Sequence, residues 1–346
     1  MSDVIQVAVL TEQLVKLFAV ALGAFLLSMA LTPLYTYVAY KHRFWKKPRT
    51  TSMNGELLQV FSKLHAAKHR RNIPTMAGMV VVCVVLLVTV LVNLNREQTW
   101  LPLAAFIGGA LVGLIDDIIN IKGDGKGVSG LRSSIKFLLI SVVGTIGAWY
   151  FFSKLGYTSV HIPFVGGWEI GWVIMPLFAF AVVATSNAVN ISDGLDGLAG
   201  GLLAQAYAFF AIIALLQGNY GIAAFCFTIV GTLLTYIWFN IYPARFFMGD
   251  VGSFALGTGL GVIAMLTNTF LLLPVIGFVF VLEAGSSLVQ IISKRFFGKK
   301  IFLSAPIHHH LEASGWPETK VTMRFWVIGA VAGFAGLLLA LAGGTI

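Results

Sequence analysis

Apolar and polar positions in this chain fall into long apolar runs that are joined by shorter polar connections. About 20 consecutive apolar residues are enough to cross a bilayer as a helix. The pattern therefore predicts about ten transmembrane helices, over residues 14–39, 76–94, 101–119, 135–153, 172–188, 198–216, 221–241, 253–268, 271–292 and 325–342. No convincing repeat or linker divides the sequence, so we expect an all-α integral membrane protein with a single domain over residues 1–346.

One connection has a different pattern. Residues 156–171 alternate apolar and polar positions around Gly166, which is typical of a short β-hairpin. We expect this hairpin near residues 159–170. Trp168 and Trp172 lie in or beside it and suit the aromatic belt at a membrane interface.

The composition is that of a membrane protein, and this affects how the net charge is interpreted. The chain is 58% hydrophobic and 11% charged, with a mean hydropathy of +0.88, whereas soluble domains carry about 25% charged residues. Asp3 and Glu12 precede the first apolar run, so its start does not resemble a cleaved signal peptide. The net charge of +9 could suggest a nucleic-acid partner, but in a membrane protein the placement of the charges is more informative, and we expect no nucleic acid to bind.

The basic residues divide the connections into two sides. Of the 23 Lys and Arg residues, 20 lie in alternate connections, at 40–75, 120–136, 242–252 and 293–324, while the fifth connection on that side, 187–201, has none. Basic residues are enriched in cytoplasmic loops. This side is therefore predicted to be cytoplasmic, which places both termini and the hairpin outside.

The polar clusters with candidate chemistry all fall on the predicted cytoplasmic side. They are Asp116–Asp117, the Asn187–Gly201 stretch, the Asn240–Ser253 connection and the Ala305–Glu312 loop. Polar groups at the end of a membrane helix are costly unless they meet water, ions or substrate. Because scattered polar residues would not all gather at one membrane face, we expect one site.

Each cluster also has a plainer interpretation. The acidic pair could be interfacial polarity, Asp250 could cap a helix, and the 187–201 stretch could be a turn. The histidines at 308–310 could form a solvated loop or ligate zinc, and Glu283 could simply bond a neighbouring helix. A plain turn needs only one or two Asn, Asp or Gly residues, so this interpretation is the weakest of them.

Five acids on one face point to a metal. They are Asp116, Asp117, Asp193, Asp196 and Asp250. Carboxylates in close quarters repel each other unless a cation or proton intervenes. Oxygen ligands favour Mg²⁺ or Mn²⁺ over zinc. An oxygen-bound metal beside basic residues suggests phosphoryl transfer, in which positioning and charge neutralisation do most of the catalysis.

Taken together, the motifs resemble those of the polyprenyl-phosphate N-acetylhexosamine-1-phosphate transferases, from about Pro74 onward. They comprise Pro74-Thr75-Met76-x-Gly78, Asp116-Asp117, Asn187-x-x-Asn190-x-x-Asp193-Gly-Leu-Asp196-Gly, Asn240-x-x-Pro243-Ala-x-x-Phe247-Met-Gly-Asp250-x-Gly-Ser and Pro306-Ile-His308-His309-His310-x-Glu312. The last motif resembles that of members acting on UDP-MurNAc-pentapeptide, and it disfavours a sibling activity on UDP-GlcNAc.

This resemblance implies a ten-helix protein of the bacterial inner membrane, usually a homodimer, with its active site on the cytoplasmic face of the bilayer. The implied reaction moves phospho-MurNAc-pentapeptide from UDP onto undecaprenyl phosphate, giving lipid I and UMP with Mg²⁺. Asp116, Asp117 and Asp250 would be catalytic, and Asp250 would also ligate Mg²⁺. Substrate would be bound by Arg70, Thr75, Asn187, Asn190, Asp193, Asp196, Asn240, Phe247, His308, His309 and His310. Among these, Asp196 would contact uracil and Phe247 would stack on it.

The sequence departs from the family pattern at its basic residues. Asn120 stands where a Lys usually follows the acidic pair, and Ser134 stands at a usually basic position. Arg132, Lys126 or Lys136 are candidates to supply the missing charge.

Two questions of mechanism and function stay open at the level of sequence. Either the lipid phosphate attacks directly, with Asp116 orienting or deprotonating it, or a carboxylate attacks first and forms a covalent intermediate. A transporter would also carry carboxylates in its membrane helices, but near the midplane of repeated halves. The acids of this chain cluster at one face, which argues against transport.

Overall fold

The computed structural model describes residues 2–45, 72–123 and 130–346, with side chains described from residue 10 onward. These ranges are mostly helical. The α-helices are α1 (Ser2–Lys41), α2 (Gly78–Val92), α3 (Trp100–Lys122), α4 (Ser133–Ser153), α5 (Ile174–Ser192), α6 (Leu198–Leu216), α7 (Tyr220–Asn240), α8 (Gly249–Leu266), α9 (Leu273–Ile276), α10 (Phe278–Phe297), α11 (Ile307–Ala313) and α12 (Glu318–Ala342). Short 3-10 turns at Gly171–Val173 and Phe270–Leu272 precede α5 and α9.

The helices make this chain a multi-pass membrane protein. In the part that the structure describes, eight helices are long and apolar enough to cross a bilayer. Helices α9 and α10 could form one further span, but they are bent by 83° at Gly277. Helix α2 has 15 residues, which is about 22 Å and shorter than the roughly 30 Å hydrocarbon core. Each predicted run overlies a helix, while the count of ten crossings and the side of each terminus stay predictions.

The outer helices turn apolar side chains away from the bundle. Phe18 and Leu22 on α1, and Val331 and Phe334 on α12, are all more than half exposed. Such a surface would be unfavourable in water but matches the hydrocarbon of a bilayer. The lipid bilayer is therefore the environment that this fold requires.

Helix α8 lies at the centre, and all of its residues are buried. It packs most extensively against α3 and α5. A Cβ added at Gly257 would lie 2.5 Å from Ser186 Cα on α5, and one added at Gly109 on α3 would lie 2.6 Å from the carbonyl oxygen of Phe254. Only glycine permits such close helix crossings. These contacts fix where α8 begins relative to α3 and α5.

Two short strands pair as an antiparallel hairpin within the segment where the sequence predicts one. They are β1 (Ser159–Ile162) and β2 (Gly166–Glu169). The backbone N–H of His161 donates to Asn268 Oδ1 at 2.9 Å, just beyond the C-terminal end of α8. Because Asp250 lies in the first turn of α8, the hairpin is at the opposite end of the bundle from this residue. Its side of the membrane stays a prediction.

Several boundaries differ from those predicted. Helix α5 continues to Ser192, so Asn187 and Asn190 are helical, and α8 begins at Gly249 rather than at 253. Polar residues near the helix ends interrupt the apolar pattern on which the prediction depends, whereas the backbone hydrogen bonds continue through them. The polar groups therefore project from rigid helix ends.

Candidate active site

Three carboxylates meet at one end of the bundle. Asp116 and Asp117 lie on α3, Asp250 lies in the first turn of α8, and one oxygen from each is within 4.8 Å of the others. The first two residues are fully buried, and Asp250 is 8% exposed. Like charges this close repel each other. The cluster therefore requires a positive partner.

Lys136 reaches the cluster from α4. Its Nζ lies 2.9 Å from Asp116 Oδ2 and 2.7 Å from Asp250 Oδ2, and its side chain is 20% exposed. An ammonium between two largely buried carboxylates offsets their repulsion and is screened less than a surface charge. Of the three basic residues proposed as substitutes, Arg132 is exposed just before α4 and Lys126 lies outside the described residues. Lys136 is therefore the substitute that the structure supports.

Two further groups hold Asp116. Asn120 Nδ2 donates to Oδ2 at 2.7 Å, and the backbone N–H of Leu131 donates to Oδ1 at 2.7 Å. Gly130 has a φ of +95°, and a Cβ there would lie 2.7 Å from Asp116 Oδ1. A glycine thus lets the chain turn against the carboxylate. Asn120, which appeared as a departure in the sequence, contacts an acid of the site.

Asp117 faces the start of α8. Its Oδ2 accepts the backbone N–H of Val251 at 3.0 Å. N–H groups in the first turn of a helix have no acceptor within the helix, and the helix dipole favours a negative charge there. Gly249 has a φ of +76°, and a Cβ on it would lie 2.5 Å from Asp117 Oδ2. The Asp117 carboxylate is thus held against the same helical turn that carries Asp250.

A close backbone approach also sets the position of Asp250. A Cβ on Gly113 of α3 would lie 2.5 Å from the nitrogen of Val251 and closer still to the carbonyl of Asp250. Real Cβ atoms essentially never come nearer than 3.0 Å. The spacing between the acidic pair and Asp250 therefore depends on a residue without a side chain.

The three aspartates fit a metal ion. They could hold one between them, and all of their donor atoms are carboxylate oxygens, which suit hard cations such as Mg²⁺. Lys136 contacts two of the same carboxylates, so an ion and this ammonium would share one set of negative charges. Asp193 and Asp196 are not part of the cluster.

The turn between α5 and α6 is held by its own side chains and by those of α7 and α12. Gly197 N–H donates to Asn240 Oδ1 at 2.9 Å, and Ala244 N–H donates to Asp196 Oδ2 at 3.0 Å. The backbone N–H of Asp196 donates to Glu318 Oε1 at 2.7 Å. Asp196 and Asn240 are both buried. They have a structural role that the sequence analysis did not assign.

The other polar residues between Asn187 and Gly201 differ in what their side chains contact. Asn190 Nδ2 donates to Ser253 Oγ at 2.9 Å, and Ser253 is in the first turns of α8, so Asn190 borders the cluster. Asn187 donates back to the carbonyl of Val183 at 2.8 Å, within its own helix. Asp193 follows the last residue of α5 and is half-buried.

The chain before α8 pairs with the chain before α2. Phe247 N–H donates to the carbonyl of Pro74 at 2.8 Å. The Phe247 side chain is half-buried, and Thr75 is buried. The carbonyl of Thr75 accepts the hydroxyl of Tyr35 at 2.6 Å. Arg70, the remaining predicted residue of this region, lies outside the described residues.

The consecutive histidines lie in the short helix α11. His308 and His309 are buried, and His310 is half-buried. His308 Nδ1 lies 2.6 Å from Glu283 Oε2, and His309 Nδ1 lies 2.8 Å from Glu312 Oε2, whereas His310 accepts a backbone N–H. The interpretation of these residues as a solvated loop is therefore wrong.

One face of α10 holds the chain that leads to α11. Its buried polar residues are Glu283, Ser286, Gln290 and Ser293. Ser286 Oγ accepts the N–H of Ile307 at 2.9 Å, Gln290 Oε1 accepts the N–H of Ile301 at 3.0 Å, and Ser293 donates to the carbonyl of Lys299 at 2.8 Å. Of these four residues, only Glu283 stood out in the sequence. The helical spacing of the four was the signal that could have found the rest.

Comparison with known proteins identifies the family. Residues 99–268 match the family model described as glycosyl transferase family 4. A phospho-N-acetylmuramoyl-pentapeptide-transferase of Chloroflexus aurantiacus is 36% identical over 348 residues, which cover 96% of this chain and 92% of that protein. The chain belongs to the phospho-N-acetylmuramoyl-pentapeptide-transferase family.

Similarity to the phospho-N-acetylmuramoyl-pentapeptide-transferase family extends beyond the acidic helices. The protein of that name from Geobacillus thermodenitrificans is 35% identical over 322 residues, which cover 91% of this chain and 95% of that protein. The one from Bacillus mycoides is 36% identical over 326 residues, with the same two coverages. The family resemblance stated from motifs is thereby confirmed.

Proposed function

We propose that this protein transfers phospho-MurNAc-pentapeptide from its UDP donor to undecaprenyl phosphate in peptidoglycan biosynthesis, with lipid I and UMP as products. The observation that carries this proposal is the buried cluster of Asp116, Asp117 and Asp250 around Lys136, in a multi-pass membrane protein of this family. A water-soluble nucleotide and a membrane lipid must meet at a membrane face, and the acids lie at one end of the bundle.

The proposed reaction is a single displacement. A phosphate oxygen of the lipid bonds to the β-phosphorus of the donor, the bond from that phosphorus to the bridging oxygen breaks, and UMP leaves with the electron pair. Asp116 orients the lipid phosphate or accepts its proton. Lys136, which contacts Asp116 and Asp250, would donate to a phosphate oxygen beside these carboxylates. Mg²⁺, held by Asp250 with the acidic pair, would neutralise charge on the phosphates.

The donor nucleotide would bind beside the turn between α5 and α6. The half-buried ring of Phe247 offers an apolar face to the uracil base. Asp196 would contact the edge of the base while it holds the turn. The remaining proposed contacts, to the sugar, the phosphates or the residues that orient them, are Arg70, Thr75, Asn187, Asn190, Asp193, Asn240, His308, His309 and His310.

We also propose the bacterial inner membrane as the location, with the active site on its cytoplasmic face and the whole chain as one transferase domain. The support is the placement of 20 of the 23 Lys and Arg residues in connections on one side. A homodimer, as implied by the resemblance, is part of the same proposal.

The test is release of UMP by the purified protein, with UDP-MurNAc-pentapeptide, a polyprenyl phosphate and Mg²⁺. We expect release that depends on both the lipid and the metal. Turnover of UDP-GlcNAc instead would establish the sibling activity, and no release from either donor would refute a transferase of this class. A covalently modified aspartate, formed from the donor in the absence of lipid, would replace the single displacement by a two-step mechanism.

A further inference from the structure

Glu283 and His308 form a buried pair at the boundary between α10 and α11. The distance from His308 Nδ1 to Glu283 Oε2 is 2.6 Å, and both side chains are fully buried. Neither residue belongs to the cluster of three aspartates. The pair therefore needs its own explanation.

A carboxylate is an unusual choice for holding this chain segment. The other three polar residues on the same face of α10 are neutral, and each bonds backbone groups of residues 299–307. Burying a charge costs more than burying an amide or a hydroxyl. If Glu283 only tied down the segment, a neutral side chain would do so at lower cost. Glu283 is the member of this face that bonds a side chain, and that side chain is His308.

The other nitrogen of His308 is directed at the turn between α5 and α6. A Cβ added at Gly194 would meet His308 Nε2 before any other atom. Gly194 follows Asp193, which the sequence motif assigns to the site. The imidazole is therefore fixed between a carboxylate at Nδ1 and this turn at Nε2, with the ring of His309 packed at 4.1 Å between centroids.

We propose that Glu283 is a positioning residue that acts through His308, an inference that rests on the proposed transferase function. When Glu283 is ionised, His308 Nδ1 carries the proton that is shared between them, so the orientation of the ring is set. The buried ring, with Nε2 against Gly194, then holds the turn that carries Asp193 in one position beside the site.

Kinetics of single and double variants test this coupling. Glu283→Gln keeps the shape and can still accept a hydrogen bond but removes the charge. We expect it to lower kcat by about 10- to 100-fold, the range found for residues that orient metal-bound histidines, with little change in the KM for the donor. In the His308→Ala background, Glu283→Gln should cause no further loss. An equal loss in both backgrounds, or wild-type kcat in Glu283→Gln, would overturn the proposal.

Ser293→Ala is the matched control for a merely structural effect. It removes a hydrogen bond from the same face of α10 at the end remote from His308. We expect it to lower the melting temperature in detergent without the loss in kcat. A kcat loss in Ser293→Ala as large as that in Glu283→Gln would mean that the segment as a whole matters and Glu283 in particular does not.

A spectroscopic measurement tests the pairing of Glu283 with His308 without depending on transferase activity. In protein labelled with ¹⁵N-histidine, the resonances of His308 can be assigned among the seven histidines by their loss in His308→Ala. We expect a protonated, strongly hydrogen-bonded Nδ1 that shifts in Glu283→Gln. An unprotonated Nδ1 would refute the pairing even if turnover is normal. If the expected signal is found but no donor is turned over, the pairing stands and the transferase proposal fails.

Discussion

Replacing Gly113 by alanine tests whether the spacing of the acids depends on backbone contact between α3 and α8. The added Cβ would lie 2.5 Å from the nitrogen of Val251, whereas ordinary contacts begin at 3.4 Å. The two helices must therefore separate by about 1 Å, since the obstructing atoms are backbone and cannot rotate away. Asp250 would move with α8, away from Asp116 and Asp117.

The expected magnitudes follow from this displacement. Overpacking of this kind costs about 1–3 kcal/mol, from which about 1 kcal/mol is recovered because alanine is a better helix former than glycine. The net loss of stability should thus be about 0–2 kcal/mol. Misplacement of catalytic groups by 1 Å can reduce the rate by about 100-fold. We therefore expect a folded protein with turnover reduced far more than its stability.

The assay pairs UMP release with thermal melting in detergent. Gly23→Ala is the control, because it makes the same substitution within α1, where the added Cβ has no neighbouring atom within 4 Å among the described residues. That variant should keep wild-type turnover and melt at the same temperature or higher. Wild-type turnover in Gly113→Ala would refute the argument that backbone contact sets the geometry of the acids.

Three further predictions concern individual side chains. Asp250→Asn should abolish UMP release while the melting temperature stays near that of the wild type, because one ligand charge is lost and the shape is kept; near-normal activity would contradict the assignment of a metal ligand. Lys136→Met should destabilise the protein by about 1–3 kcal/mol, since two carboxylates lose their shared cation in a partly exposed site. Added Mg²⁺ should then raise the melting temperature of this variant more than that of the wild type. Equal shifts with Mg²⁺ would mean that Lys136 and the ion do not share these charges. Phe247→Leu should raise the KM for the UDP donor by about 5- to 150-fold, the range expected for loss of aromatic stacking on one base, with a smaller effect on kcat; an unchanged KM would place the uracil elsewhere.

The sequence predicted the features that depend on local composition. Asp116 and Asp117 stand out because acids are costly near the end of an apolar helix, and this cost is visible without coordinates. The apolar runs are likewise visible, and each of them contains a helix. The break at Gly277 was missed, because a single glycine within an apolar run barely changes its hydropathy.

The features that were missed depend on contacts between distant parts of the chain. The contact between Lys136 and Asp250 joins residues 114 positions apart, so no spacing rule could identify Lys136 among the three candidate cations. The role of Glu283 was equally hidden, because its partner lies on a different helix. Asn240 was predicted to bind substrate, and its bond to Gly197, which holds a turn, could not be seen in the sequence. Such assignments require the packing of the helices.

The charges around Lys136 also bear on how a divalent ion affects the binding of the nucleotide. Among the described residues, the three carboxylates and the ammonium of Lys136 sum to two negative charges when each is ionised. Both proposed reactants bring phosphates of the same sign, so a counter-charge at this cluster would favour their binding. A divalent ion meets that need. We therefore expect the affinity for the nucleotide to rise steeply with the concentration of the divalent ion, so that the ion and the nucleotide bind together.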